Sequence, residues 1–437
     1  MKKKTYHSAK SKRKPSSTDL RKVLIAFSFI LLFAFYAISP LAQVLNVFSA
    51  QKALASSPLV TSTTPLQHII ILEKKSRSFD HYFGTFPGAN GATTYVDSHG
   101  VTHPLAHASD VQKDTNHSGA SQVKSIDGGK MDMFAANGLV QFYQQDIPNY
   151  WQYAQTFTLA DNFFPMAKGA SFPNQLFLIA AQNNDAFENP LTSSGGIPHN
   201  YGCDSPAGTT VKEWHADGST TYEYPCFDFP TIGDTLTAYN LSWKFYEAGP
   251  STNGYNWSSY DAIKHIRDTS QWTQHVVDYT TFASDAVSGN LPAVSWITEP
   301  KIYADKPPSS VCGGENWMVS QINTIMNNPS LWNNTAIIIS WDDWGGFYDH
   351  VVPPAGPTNA SLQYGLRIPV LVISPYAKGG TVDHTLYSFP SLLKFIEDNF
   401  SLPPLNTVDA QANSLMNAFN FSQPPLPPLV LQQRTCP

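Results

Sequence analysis

Short apolar runs alternating with helix-compatible stretches predict an α/β fold, a three-layer α/β/α sandwich around a mostly parallel central sheet. Three observations carry that expectation. Residues 68–72 (HIIIL), 294–297 (VSWI), 336–340 (AIIIS) and 367–374 (RIPVLVIS) are short, apolar and rich in β-branched side chains, the pattern of strands buried on both faces. Helical patterns fall between them, as strand–helix–strand units require. Charged and hydroxyl residues stand directly after several of the runs, where an open α/β sheet collects its ligands.

The chain has 437 residues, room for one large domain and a sizeable core. Its 33 prolines and only 14% charged residues favour long ordered loops over a helical bundle. Residues 1–22 form a basic tail with nine Lys/Arg and one Asp, which leaves 18 basic against 32 acidic residues in the remainder. So acidic a body lacks the basic face that nucleic-acid binding needs. Residues 23–42 (VLIAFSFILLFAFYAISPLA) are uncharged and long enough to span a bilayer as a helix. With the basic tail held in the cytoplasm, this segment is either a permanent anchor or a signal cleaved near Ala55. Either way the body is expected to be exported, on the cell membrane or secreted. Cys203, Cys226, Cys312 and Cys436 suit an oxidising compartment. Proximity favours Cys203 with Cys226 and Cys312 with Cys436, although four cysteines allow three pairings.

In chain order, residues 43–65 read as a linker, and residues 66–437 as the folded domain. The first strand runs straight into residues 73–91 (EKKSRSFDHYFGTFPGANG), whose glycines and proline mark a loop. Gly169-Ala170-Ser171 puts a hydroxyl at a tight turn into a helix expected over 175–182, where the alternative for Ser171 is an N-cap. Residues 186–290, rich in Tyr, Trp, Asn and Gly, read as a loop-rich insertion, except that 233–249 has the pattern of a helix and then a strand. A helix is expected over 316–326. In residues 335–354 (TAIIISWDDWGGFYDHVVPP), Asp342 and Asp343 emerge from a buried strand just before Gly345 and Gly346. That is either a turn or a carboxylate pair at a site. Residues 382–385 (VDHT) precede a helix through 399, and a proline-rich tail wraps the C-terminus.

Several of these stretches, in the same order, resemble the bacterial phosphoesterase family that includes phosphatidylcholine-type phospholipases C and an acid phosphatase. That family opens on Glu-Asn-Arg-Ser-Phe-Asp-His-Tyr-Phe-Gly; residues 75–84 here read KSRSFDHYFG, matching at eight of ten positions. His117 in DTNHS, residues 128–132 (GGKMD), the run ending at Asn174, and His384 in the DHT element are similar to further family motifs. The resemblance spans roughly residues 66–400 and implies an alkaline-phosphatase-like architecture.

It also implies roles. Phosphate-ester hydrolysis needs charge neutralisation on the phosphoryl oxygens, an in-line nucleophile and a proton for the leaving oxygen. Carried over by position, Ser171 is the nucleophile, and Asp342 and Asp343 are ligands of a divalent metal of unknown identity. His117, His350 and His384 contact phosphate or act as general acid, while Lys75, Ser76, Arg77, Asn174 and Lys306 bind substrate. The departures bear on the metal. Lys75 and Ser76 stand where the family has Glu-Asn, Lys306 where it has His after Ser-Glu, and Trp344 where it has His after Asp-Glu. An ammonium beside Asp342 and Asp343 would stand in for a metal's charge, so the site is expected to be atypical or metal-free. Glu73 shares a strand face with Lys75 but is expected to lie too deep in the sheet to matter. The primary expectation is a hydrolase acting on a phosphate ester or phospholipid. The alternatives are an impaired relative that binds phosphorylated ligands or lipid headgroups and, if the resemblance is set aside, an envelope or carbohydrate-binding protein.

Overall fold

The computed structural model describes residues 61–356 and 363–437. The basic tail, the apolar segment 23–42 and residues 43–60 of the linker lie outside the described residues. Among those described, no helix is long and apolar enough to cross a membrane.

The main elements, in order, are β1 (His68–Lys74), α1 (Phe79–Phe83), α2 (Pro148–Thr156), β2 (Thr158–Phe163), α3 (Ser171–Phe177), α4 (Ile232–Ala238), β3 (Trp243–Glu247), β4 (Val276–Asp278), β5 (Val294–Thr298), α5 (Val311–Met326), β6 (Thr335–Trp341), β7 (Ile368–Ile373), β8 (Thr381–Asp383) and α6 (Phe389–Phe400). The eight strands form one sheet in the order β4-β3-β5-β1-β6-β7-β2-β8. Every pairing is parallel except the two made by β7, which runs against β6 and β2. The expected mixed α/β architecture with a mostly parallel sheet is therefore observed.

Both faces are covered. All seven residues of β6 are buried although successive side chains point to opposite sides, as the unbroken apolar run requires. Around the sheet, α2 abuts α5: the Glu315 carboxylate accepts the backbone N–H groups of Asn149 and Tyr150 at 2.8 and 2.9 Å. At the C-terminus, Arg434 pairs with Glu315 at 2.6 Å and Cys436 is bonded to Cys312, so the last residues form a strap over the start of α5. The second disulfide joins Cys203 to Cys226, and both proximity pairings are those observed.

The helix and strand expected over 233–249 are observed as α4 and β3, and β3 pairs directly with β5. The rest of 186–290 is not only loops, since β4 also lies within it. The helix expected over 175–182 begins earlier, at Ser171, because Pro173 falls in its first turn, where the missing N–H costs nothing.

The antiparallel β7 matters most for function. It starts where the parallel strands end, since Ser340 of β6 pairs with Val370. The residue just before it, Arg367, therefore stands on the same sheet edge as Lys75, Asp342 and Asp343. That edge gathers the chemistry.

Candidate active site

The site begins where β1 and β6 end side by side, with Lys74 paired to Trp341 in register. The next backbone step is a tie between the two chains: Asp342 N–H donates to the Lys74 carbonyl at 3.0 Å. Ser76 has a left-handed backbone, φ 63°, which turns its N–H onto Asp342 Oδ1 at 2.8 Å. Gly345, at φ 64°, comes so close that a Cβ there would lie 2.1 Å from the Ser76 carbonyl oxygen, and only glycine fits.

Ser171 is the first residue of α3, and the N-cap position belongs to Ala170. The capping alternative is thereby excluded. Instead the Ser171 hydroxyl donates to Asp343 Oδ2 at 2.6 Å, while Asp343 Oδ1 accepts the Gly345 N–H at 2.7 Å. Gln175 Nε2 reaches Asp342 Oδ2 at 3.3 Å. The Lys75 ammonium lies 2.9 Å from Glu73 Oε1 and 3.6 Å from Asp342 Oδ2, all three side chains being buried. Burial and the neighbouring Asp343 push the Asp342 carboxyl up to about 7 even though Lys75 opposes them. Burial alone would lower the Lys75 ammonium, but the charges of Glu73, Asp342 and Glu299 outweigh it and raise the group.

Ser171 opens onto a cavity of about 920 Å³ that is also lined by His117, Lys306, Asn189, Tyr201 and Trp257. His117 Nδ1 sits 2.6 Å from the Thr115 carbonyl, and Nε2 lies 2.8 Å from the Lys306 ammonium, which also reaches Asp114 at 3.4 Å. A carbonyl only accepts and an ammonium only donates, so His117 is the neutral Nδ1–H tautomer with its Nε2 lone pair facing Lys306.

The structure thus brings together Ser171, Asp342, Asp343, Lys75, Ser76, His117 and Lys306. It does not bring the others. Arg77 is fully buried, its terminal nitrogens donate to Gln112 at 2.9 Å and to the Asp305 carbonyl, and it does not line the cavity. Asn174 is likewise buried and staples the turn before Ser171, bonding Ala167 and Ala170. His350 pairs with Asp80 at 2.7 Å and the exposed His384 with Asp161 at 2.8 Å, and neither lines the cavity. Glu73 corrects the reading in the other direction. The long Lys75 side chain folds back along the strand, so depth in the sheet does not remove Glu73 from the site; alternation at 73 and 75 was the visible signal. Glu299, directly after β5, was visible by the same strand-end rule that singled out Asp342.

The residues present do not fit a divalent metal at the Asp342–Asp343 pair. Each of the four carboxylate oxygens has a protein donor, and the Lys75 ammonium, 3.6 Å from Asp342 Oδ2, sets a positive charge that opposes a dication there. Among the described residues a second group, Asp80, Asp349 and His350, has atoms close enough to share an ion. There Arg367 pairs with both carboxylates, at 3.2 and 3.1 Å.

Comparison with known proteins adds family context. The model of the Phosphoesterase family matches residues 66–403. Phospholipase C B of Mycobacterium tuberculosis is 27% identical over 448 residues, spanning 86% of this chain and 82% of that protein. A non-hemolytic phospholipase C of Pseudomonas aeruginosa is 26% identical, with 82% of this chain and 58% of that one aligned. Non-specific phospholipase C6 of Arabidopsis thaliana is 25% identical over 73% of this chain and 63% of its own length. Among solved structures, a Vibrio parahaemolyticus protein in the alkaline phosphatase superfamily aligns with 78% of this chain and 70% of its own at 9% identity and TM-score 0.37. Lipoteichoic acid synthase LtaP from Listeria monocytogenes aligns with 82% of this chain and 79% of its own at 10% identity and TM-score 0.40.

Proposed function

Since the chain belongs to the Phosphoesterase family, we propose that it hydrolyses phosphate ester bonds, with phospholipid-type diesters as the substrate class and Ser171 as the nucleophile. The observation that carries this reading is the 2.6 Å hydrogen bond from the Ser171 hydroxyl to Asp343, at the floor of a cavity that Lys306 and His117 also line. Serine is a weak nucleophile until an adjacent base takes its proton. Asp343 is positioned to do that. As Ser171 Oγ bonds to phosphorus and the ester oxygen departs, the hydroxyl proton passes to Asp343 Oδ2. The Lys306 ammonium faces the phosphoryl oxygens and holds a proton that the leaving oxygen can take; neutral His117, accepting from Lys306, orients it. Water then attacks the phosphoserine, giving its proton to the Lys306 amine, while Asp343 returns its proton to the departing Ser171 oxygen, so both groups are restored. No step is assigned to a metal, because the Lys75 ammonium already supplies positive charge beside Asp342.

The proposal extends to location. The apolar segment 23–42 and two disulfides support an exported body, tethered to the membrane or released from it. A second reading, a binder of phosphorylated ligands, is favoured by the cations that replace family metal ligands. The test assays the full-length protein on a chromogenic phosphate diester and monoester beside Ser171→Ala. Loss of turnover in the variant supports the enzyme. Equal turnover in both overturns the nucleophile. Saturable phosphocholine binding without any turnover favours the binder.

A further inference from the structure

The charge around Lys75 is larger than catalysis by Ser171 and Asp343 requires. Its ammonium touches Glu73 and Asp342, and Glu299 stands near enough to act on it electrostatically. Glu299 is fully buried, and both of its carboxylate oxygens lack a hydrogen-bond donor; its nearest cation is Lys74, at 3.6 Å. Glu73 is held on its other oxygen by the Thr298 hydroxyl at 2.9 Å. Glu73 and Asp342, from adjacent strand ends, thus meet on one ammonium that solvent does not reach, and Glu299 beside Lys74 adds a third buried carboxylate at the next strand end. Removing a charge partner from such a place leaves uncompensated buried charge, which is costly unless another cation replaces it.

We infer that Lys75, positioned by Glu73, is a built-in counter-cation that takes the place of a divalent ion, and that the carboxylates around it form a latent cation site closed by this one side chain. The inference rests on the phosphoesterase reading only in placing the ammonium beside the nucleophile. Metal binding is measured apart from turnover.

The full-length protein is equilibrated with Zn²⁺, Mn²⁺ or Ca²⁺, dialysed, and assayed for bound metal per chain by plasma mass spectrometry, with calorimetric titration for affinity. The wild type is expected to retain no stoichiometric ion, and any turnover to survive chelator. Lys75→Glu exchanges a positive for a negative charge a few ångströms from Asp342, which at a protein-like effective dielectric predicts binding on the order of 1,000-fold tighter. Asp342→Asn in that background should remove the gain. A wild-type protein that keeps one ion, and loses it on Asp342→Asn, overturns the inference. So does a folded Lys75→Glu that binds no more tightly than wild type. Should Lys75→Glu fail to fold, Lys75→Met tests the same point through loss of the positive charge, with a smaller gain expected. A wild type with neither ion nor turnover supports the counter-cation and sinks the nucleophile assignment, so the two failures are separable.

Discussion

Two buried carboxylate pairs lie on the same edge of the sheet, and each holds a cation, yet they do different things. At Asp80 and Asp349 the cation is Arg367. Its fork is spent entirely on protein: Nε on Asp349, one terminal nitrogen on Asp80 and Asp349, the other on the Asn90 and Asp161 carbonyls at 2.8 Å each. At Asp342 and Asp343 the cation is Lys75, a point charge with no planar fork, and the second aspartate is left to a hydroxyl that opens onto the cavity. The arginine pair is a clamp between α1, the segment after β6 and the start of β7. The lysine pair leaves one carboxylate free to move a proton. Residue type alone does not separate a site from a clamp; what the remaining donors are spent on does.

Four experiments press on that comparison. The largest effect is expected from Ser171→Ala, which should lower kcat for a phosphate diester by on the order of 10⁴-fold with an unchanged far-UV spectrum, as loss of a nucleophile does in comparable hydrolases. Arg367→Met comes next: two carboxylates remain buried without their cation, so urea denaturation should show a loss of about 3–5 kcal/mol. Turnover per folded molecule should change little, and a drop as deep as that of Ser171→Ala would erase the distinction between clamp and site. Lys306→Ala should lower kcat by about 10²- to 10³-fold with modest change in KM, because its ammonium acts on developing charge.

The smallest effect is in pH. Burial raises Asp342 and Glu299 to about 7 and Asp349 to about 6, whereas an unfolded carboxylate titrates near 4. Between those values the native state binds more protons than the unfolded one, so this stability is full below about pH 4 and is lost as pH rises through 6 to 7. The urea midpoint should therefore be higher at pH 5 than at pH 8. Asp349→Asn should flatten the slope between pH 4 and 6 by about 1–2 kcal/mol, and a slope unchanged in that variant would remove Asp349 from the account.

Much of the fold could be read directly. The runs at 68–72, 294–297, 336–340 and 367–374 form strands because each is short, mostly apolar and, His68 apart, buried. Direction was not readable in the same way: β7 has the composition of a central parallel strand, and only its neighbours make it antiparallel. Strand ends singled out Asp342, Asp343 and Lys75, and the fold places their side chains together. Histidines were harder, because motif position says nothing about which way a loop faces. His350 and His384 follow strands or motifs as His117 does, but their Nδ1 atoms are held by Asp80 and Asp161, outside the cavity that Ser171 opens onto. Arg77 and Asn174 show the same limit: polar residues beside a site are often the ones that brace it. Tyr201 and Trp257 come from the Tyr/Trp-rich middle, which has no periodicity to place a side chain, and their role as cavity wall emerges only from tertiary packing.

The reversed course of β7 has a practical consequence for redesign. Because β6 and β7 are antiparallel neighbours, β6 ends and β7 begins on the same edge of the sheet. The single stretch between them carries Asp342, Asp343, Gly345, Asp349, His350 and Arg367. One carboxylate pair and half of the other are therefore encoded contiguously, and exchanging this one cassette with a relative's would transplant the proton acceptor together with Asp349 and Arg367, while Asp80 on α1 and the cavity walls, which come from elsewhere in the chain, stay in place.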